Sequence, residues 1–314
     1  MPNGMMIVSE GAMVRPSILL RELRVEFLTA SVFPVLLGTA IAHARAGVFD
    51  PLLFALTLAG VVLIHLGTNV SNDYFDHLSG SDALNTQFVP PFTGGSRLIQ
   101  KGLISPRTVL TLSISLLAGA VAIGAVLTFL RGPYVLLLGA IGIMSGVFYV
   151  APPINLASRG FGELFIALNF GVLATAGSYF VQTGSVSLEV VVASLPLAIL
   201  IGAIVFINEF QDMNSDAQVG KRTLVVRMGL PRSSSVYGWI MTLSFAPTVI
   251  GVAAGLMPRA TLLVFGALPF ALKGVSVARG RYGSLKEMAP ANALTILSHT
   301  LTGALLTVGY LVAR

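Results

Sequence analysis

Nine apolar runs, each long enough to cross a bilayer, leave this chain few ways to fold. They cover residues 24–44, 51–76, 107–130, 133–151, 161–182, 188–212, 235–256, 259–279 and 290–312. A hydrocarbon core about 30 Å thick takes roughly 20 apolar residues in a helix. Helices of that length satisfy their own backbone where no water can. Only 10% of the residues are charged and 55% are hydrophobic, whereas soluble domains carry about 25% charge. The expected fold is all-α, a polytopic membrane protein with nine transmembrane helices. The expected organisation is a single transmembrane domain over 1–314, with 1–16 as an N-terminal cytoplasmic tail. Pro51, Pro106, Pro133 and Pro290 stand at helix entrances, where a missing N–H is harmless. Pro34 and Pro196 lie inside spans, where kinks are expected.

The basic residues orient the bundle. Of nineteen lysines and arginines, only Arg45, Arg131, Arg259 and Arg314 fall in the loops of one side. The other fifteen share the opposite side, which the positive-inside rule makes cytoplasmic. An even number of spans would scramble that asymmetry. The net charge of +6 is thus explained by topology, and its dispersal over short loops speaks against nucleic acid. No cysteine is present, so disulfides and thiolate chemistry are excluded. His43, His65, His77 and His299 are scattered without zinc or haem spacing. Residues 1–16 lack the apolar core of a cleavable signal peptide. No obligate protein partner is evident.

Two acidic stretches break the apolar pattern, both at cytoplasmic ends of spans. The first, Asn69 to Asp82, carries Asp73, Asp76 and Asp82; at about 100° per residue Asn69, Asp73 and Asp76 share a helical face. The second runs from Asn208 to Asp216 and places Asp212 and Asp216 one turn apart. Acidic side chains in a membrane helix cost roughly 2.5–3.5 kcal/mol each on insertion scales, so they need a compensating partner. Mg²⁺, a hard cation that prefers oxygen, suits them. Gly94-Gly95-Ser96-Arg97 with Lys101 follows the first stretch, and Gly220-Lys221-Arg222-Thr223 follows the second. Metal-binding carboxylates beside lysine and arginine form a receptor for a diphosphate, whose departure the metal assists. With a bilayer alongside, the pattern suggests ionisation of a lipid diphosphate. The similar placement of the stretches hints that helices two and six are counterparts of a weak duplication.

These residues resemble the UbiA superfamily of intramembrane prenyltransferases, a family of nine helices around a central cavity with two aspartate-rich motifs. Asn72, Asp73 and Asp76 match the first motif, although its further aspartate is met by Asp82 because Gly80 stands at the usual spacing. That longer spacing resembles the menaquinone branch, the 1,4-dihydroxy-2-naphthoate polyprenyltransferases. Asp212 and Asp216 match the second motif and precede Gly-Lys-Arg-Thr-Leu. Segments 95–105 and 149–163 are similar to that branch too. The resemblance implies Mg²⁺-dependent transfer of a polyprenyl group from its diphosphate to a small aromatic acceptor, within the cell membrane. It implies Asp73, Asp76, Asp82, Asp212 and Asp216 as metal residues, with Asp73, Asp76, Asp212 and Asp216 central to catalysis. Asn69, Asn72, Asn208, Arg97, Lys101, Arg159, Lys221, Arg222 and Tyr149 are the expected substrate contacts. Tail length is expected to depend on which of Gly142, Gly146, Gly171 and Gly177 line the cavity.

Blander readings stand beside these. Asp73 or Asp76 alone would be a helix-end carboxylate, and Asp82 a turn residue. Glu209 would be a ligand or merely solvated, Glu163 a complement to a helix dipole, and His77 a proton relay or a solvated helix end. Lys221, Arg222 and Arg159 would be topology determinants; Tyr74, Tyr149 and Tyr179 would anchor at the interface. Other acceptors within the family are 4-hydroxybenzoate, homogentisate, a porphyrin or a lipid alcohol. A cation or proton-coupled transporter is the rival class, but the acidic residues gather at one face instead of forming a path across.

Overall fold

In the computed structural model, which describes residues 15–313, all regular structure among the described residues is helical. The tail expected over 1–16 lies almost entirely outside the described residues, as does Arg314. In chain order the helices are α1 (Pro16–Glu22), α2 (Thr29–Ala46), α3 (Pro51–Ser79), α4 (Ser81–Leu84), α5 (Pro106–Arg131) and α6 (Tyr134–Val150). They continue as α7 (Gly162–Thr183), α8 (Leu188–Gln218), α9 (Leu224–Met228), α10 (Leu230–Ala253), α11 (Arg259–Arg281) and α12 (Leu285–Val312).

Each of the nine apolar runs falls on a helix, but not each helix is a full span by length. Among the described residues seven are long and apolar enough to cross, or eight if the bent pair Pro16–Phe27 and Thr29–Ala46 is one span. The remaining run, α6, is 17 residues long. Helix starts follow local chemistry. Asp50 accepts from the Leu52 and Leu53 amides with Pro51 behind it, Ser105 from Thr108, and Ser187 from Val190, as caps do. Pro34 and Pro196 lie within α2 and α8, neither of which is interrupted there. The sharp bend of 55° falls at the join before Thr29. A second irregularity, the π-helical turn Ala167–Leu173, widens α7.

α8 threads the centre, touching α7, α10 and α12, while α12 packs on α2 and closes the ring; α3 lies along α5. Two-thirds of the apolar window of α8 is buried (67%), against 17% for α5, which faces outward. Small residues set the close approaches. A Cβ on Gly171 would meet the Ala198 Cα at 2.3 Å, so α7 and α8 touch backbone to backbone, as small residues allow in membranes.

Candidate active site

α3 and α8 deliver their acidic ends to one place. Between them lies a chamber of about 180 Å³, walled by Asn69, Asn72 and Asp76 of α3, by Asn208, Glu209, Asp212 and Asp216 of α8, and by Asp82, Tyr149 and Lys221. The two motifs are tied through Lys221, whose ammonium contacts the Asp76 carboxylate and lies 3.6 Å from Asp216. Asn72 Nδ2 donates to Asp76 at 3.0 Å, fixing its second oxygen. From α4, Ser81 Oγ donates to Asp216 at 2.6 Å, and just beyond it Asn85 Nδ2 donates to Asp212 at 2.6 Å. Burial pulls the Lys221 ammonium down, but Asp76, Asp216 and Asp212 outweigh it and hold its pKa above the ordinary lysine range.

Asp73 has a different place. It is buried, accepts from the Ser96 amide at 2.7 Å and lies 3.7 Å from Arg24, and it does not line the chamber. The shared face expected for Asn69, Asp73 and Asp76 is corrected accordingly. Asn69, Asn72 and Asp76 share the lining arc with His65, and Asp73 turns toward the 94–97 loop. That contact explains a glycine: Gly95 has φ of +66°, and a Cβ there would meet the Asp73 carboxylate at 2.8 Å.

Asp82 accepts from Gln100 Nε2 at 2.9 Å, and Arg97 caps its backbone carbonyl while stacking on Phe88. Burial first, then the charges of Asp76 and Asp73, push the Asp82 carboxyl up to about 8, against Arg97. The proton is therefore held more tightly in the folded chain than in the unfolded one, near 4. Its contribution to stability is full below about 4 and lost as pH rises through about 8. Asp82→Asn is expected to flatten that part of the pH–stability curve, measured by thermal unfolding in Mg²⁺-free detergent between pH 5 and 9. An unchanged slope would remove Asp82 as its source.

Arg97, Lys101, Arg159 and Arg222 do not line the chamber. Lys101 is exposed. Arg159 is exposed and donates to the Pro153 carbonyl; Arg222 is exposed, its amide bonded to the Ser158 carbonyl. Glu209 is not solvated: it is buried on the chamber wall, accepts from the Val225 amide at 3.3 Å, and lies against the buried Glu163. Sequence reasoning missed Arg24, Ser81, Asn85 and His65 as wall residues. In the sequence Arg24 reads only as a topology charge, yet it donates to the Pro91 and Phe92 carbonyls. Asn85, 127 residues from the aspartate it serves, belongs to no motif.

The donors suit Mg²⁺. Asp76, Asp212 and Asp216 with Asn72 and Asn208 present oxygen ligands to one chamber, and a cation, the Lys221 ammonium, already lies between the two motifs. Among the described residues no three acidic or histidine side chains converge closely enough to chelate an ion unaided.

The model of the UbiA prenyltransferase family matches residues 31–306. The chain belongs to that family. Among its relatives is the 1,4-dihydroxy-2-naphthoate octaprenyltransferase of Bacillus subtilis, 29% identical over 91% of this chain and 89% of that protein. Another is the 2-carboxy-1,4-naphthoquinone phytyltransferase of Synechocystis, 28% identical over 90% of this chain and 89% of that one. The fold is shared with a UbiA homologue from Aeropyrum pernix, with a TM-score of 0.66 at 18% identity, over 90% of this chain and 98% of that one. It is shared too with an Archaeoglobus fulgidus homologue solved with DMAPP and Mg²⁺, TM-score 0.62 at 18% identity, over 92% and 99%. Family and helices together make this a multi-pass membrane protein.

Proposed function

We propose that this chain transfers a polyprenyl group from its diphosphate to an aromatic acceptor, with 1,4-dihydroxy-2-naphthoate as the acceptor, in menaquinone biosynthesis. The observation that carries the reading is the meeting of Asp76 and Asp216 across Lys221 at the mouth of one chamber. The naphthoate and naphthoquinone relatives support the acceptor. We take the chain as a single catalytic domain with its N-terminus and chamber mouth facing the cytoplasm, on the basic-residue asymmetry.

Asp76, Asp212 and Asp216, helped by Asn72 and Asn208, would hold Mg²⁺, and bound there it would offset the diphosphate's charge and ease its departure. Lys221 releases its hold on Asp76 and turns its ammonium to the diphosphate. Ser81 and Asn85 keep Asp216 and Asp212 oriented. Tyr149 and the apolar wall of Ile166, Phe170 and Ile201 exclude water from the allylic cation. The acceptor ring attacks that cation at C1; the new C–C bond replaces the C–O bond to diphosphate, and the ring carbon loses its carboxyl group as carbon dioxide.

The test is a radiolabelled transfer assay on the detergent-purified protein, with geranylgeranyl diphosphate, a panel of aromatic acceptors, and Mg²⁺ or EDTA. Product with dihydroxynaphthoate only when Mg²⁺ is present is the expected result. Product with a different acceptor alone would overturn the acceptor, and diphosphate-independent activity would overturn the reaction class.

A further inference from the structure

Behind the chamber wall three side-chain amides join α8 to α12. Asn292 and Gln211 are 0% and 1% exposed, and neither lines the chamber. Asn208, one helical turn before Asp212, does line it. Gln211 Nε2 donates to Asn292 Oδ1 at 2.9 Å, and Asn292 Nδ2 donates to Asn208 Oδ1 at 2.8 Å. The partners are 81 and 84 positions apart in the chain, so no spacing in the sequence announces them.

The backbone fixes the direction of this relay. Gln211 Nε2 also donates to the Leu285 carbonyl at 3.4 Å, and Asn292 Nδ2 to the Ile207 carbonyl at 3.4 Å. A carbonyl only accepts, so each must face an NH2 group. Turning over either buried amide would set its oxygen against two others. Turning over all three at once would still oppose both carbonyls. Gln211 Oε1 itself goes unpaired, so that amide serves only as a donor.

The relay ends at Asn208. Its Oδ1 receives the Asn292 bond, and its Nδ2 has no partner among the described residues. The amides of Asn72 and Asn85, by contrast, already donate to Asp76 and Asp212. An uncommitted N–H donor thus shares the chamber with Asp76, Asp212 and Asp216, which accept when ionised. At 1.5 Å per residue it lies about 6 Å further into α8 than Asp212, on the same face. A donor oriented before the substrate arrives meets charge as it builds on a departing oxygen.

We propose that Asn292 is a positioning residue of this site: with Gln211 behind it, it locks the Asn208 amide so that Nδ2 donates to a diphosphate oxygen beside the breaking C–O bond. The inference rests on the substrate being a diphosphate. The second lone pair of Asn208 Oδ1 stays open to Mg²⁺. Asn292 touches no substrate and acts from α12, a helix that contributes nothing to the chamber wall.

Calorimetric titration with inorganic diphosphate at saturating Mg²⁺ tests the contact on the detergent-purified protein. Asn292→Leu is expected to weaken binding about ten-fold, the scale of one hydrogen bond to a charged group. Asn208→Asp, which keeps the oxygen and removes only the N–H donor, is expected to bind at least as weakly. Native affinity in either variant would overturn the proposal. A double-mutant cycle in kcat/KM with geranylgeranyl diphosphate separates positioning from packing. Asn292→Leu and Asn208→Ala are each expected to lose about ten-fold or more, and the double variant to stay within about two-fold of Asn208→Ala, because nothing is left to orient. Losses that multiply would make Asn292 a packing residue and overturn the role. Gln211→Met repeats the cycle if Asn292→Leu fails to fold, with the same two outcomes. A native protein that transfers nothing while Asn292→Leu still weakens diphosphate binding would overturn the proposed reaction and leave the positioning role standing.

Discussion

Asp212→Ala is expected to reduce prenyl transfer by on the order of 10²–10³-fold, and Asp76→Ala to do the same, with the protein still folded and inserted. The magnitude is that of removing one preorganised group from a site where charge departs. Both side chains line the chamber, one from α3 and one from α8. Neither carboxylate is a packing element: Asp212 is bonded to Asn85 and Asp76 to Asn72 and Lys221, all at the chamber itself. Asp73→Asn is the informative contrast. Asp73 lies off the chamber wall, accepting from the Ser96 amide and pairing with the wall residue Arg24, so its loss is expected in thermal stability more than in turnover. Steady-state kinetics and unfolding of the three variants decide the matter. Near-native turnover in Asp212→Ala would sink the metal-site reading.

Lys221→Met is expected to destabilise the Mg²⁺-free protein by about 3–5 kcal/mol, the cost of stranding a buried charge by removing its partner. Lys221 is 12% exposed in its side chain, Asp76 18% and Asp216 8%, so solvent does little to screen the cluster. Mg²⁺ with inorganic diphosphate is expected to restore most of the loss, because a divalent ion replaces the missing cation between the motifs. Thermal unfolding in EDTA and in Mg²⁺ plus diphosphate measures both terms. A variant as stable as the native protein in EDTA would show that the ammonium does not hold the motifs together.

Much of the site is local in sequence and therefore legible. Asn72, Asp73 and Asp76 announce themselves because carboxylates are costly in apolar helices, and Asp212 and Asp216 repeat the signal. What periodicity could not give is the direction of the lining arc. Asn69, Asp73 and Asp76 lie within about 60° of one another at 100° per residue, and so share a face on paper. The arc that faces the chamber is instead centred between Asn69 and Asn72, because α5 and the 94–97 loop take the other side of α3. Likewise Arg97, Lys101, Arg159 and Arg222 look like diphosphate contacts by position alone, and only loop geometry turns them from the wall.

The sequence by itself determined the membrane class, the helices and the two acidic ends, since apolar length and the cost of buried charge act within a single segment. Tertiary structure alone decided which groups meet. Lys221 joins Asp76 to Asp216, Asn85 reaches Asp212, Glu209 turns inward, and the short α6 with Gly139 and Gly142 bounds an apolar cavity. Those contacts join residues far apart in the chain, and their geometry is set by helix packing and loop closure, which no one segment encodes.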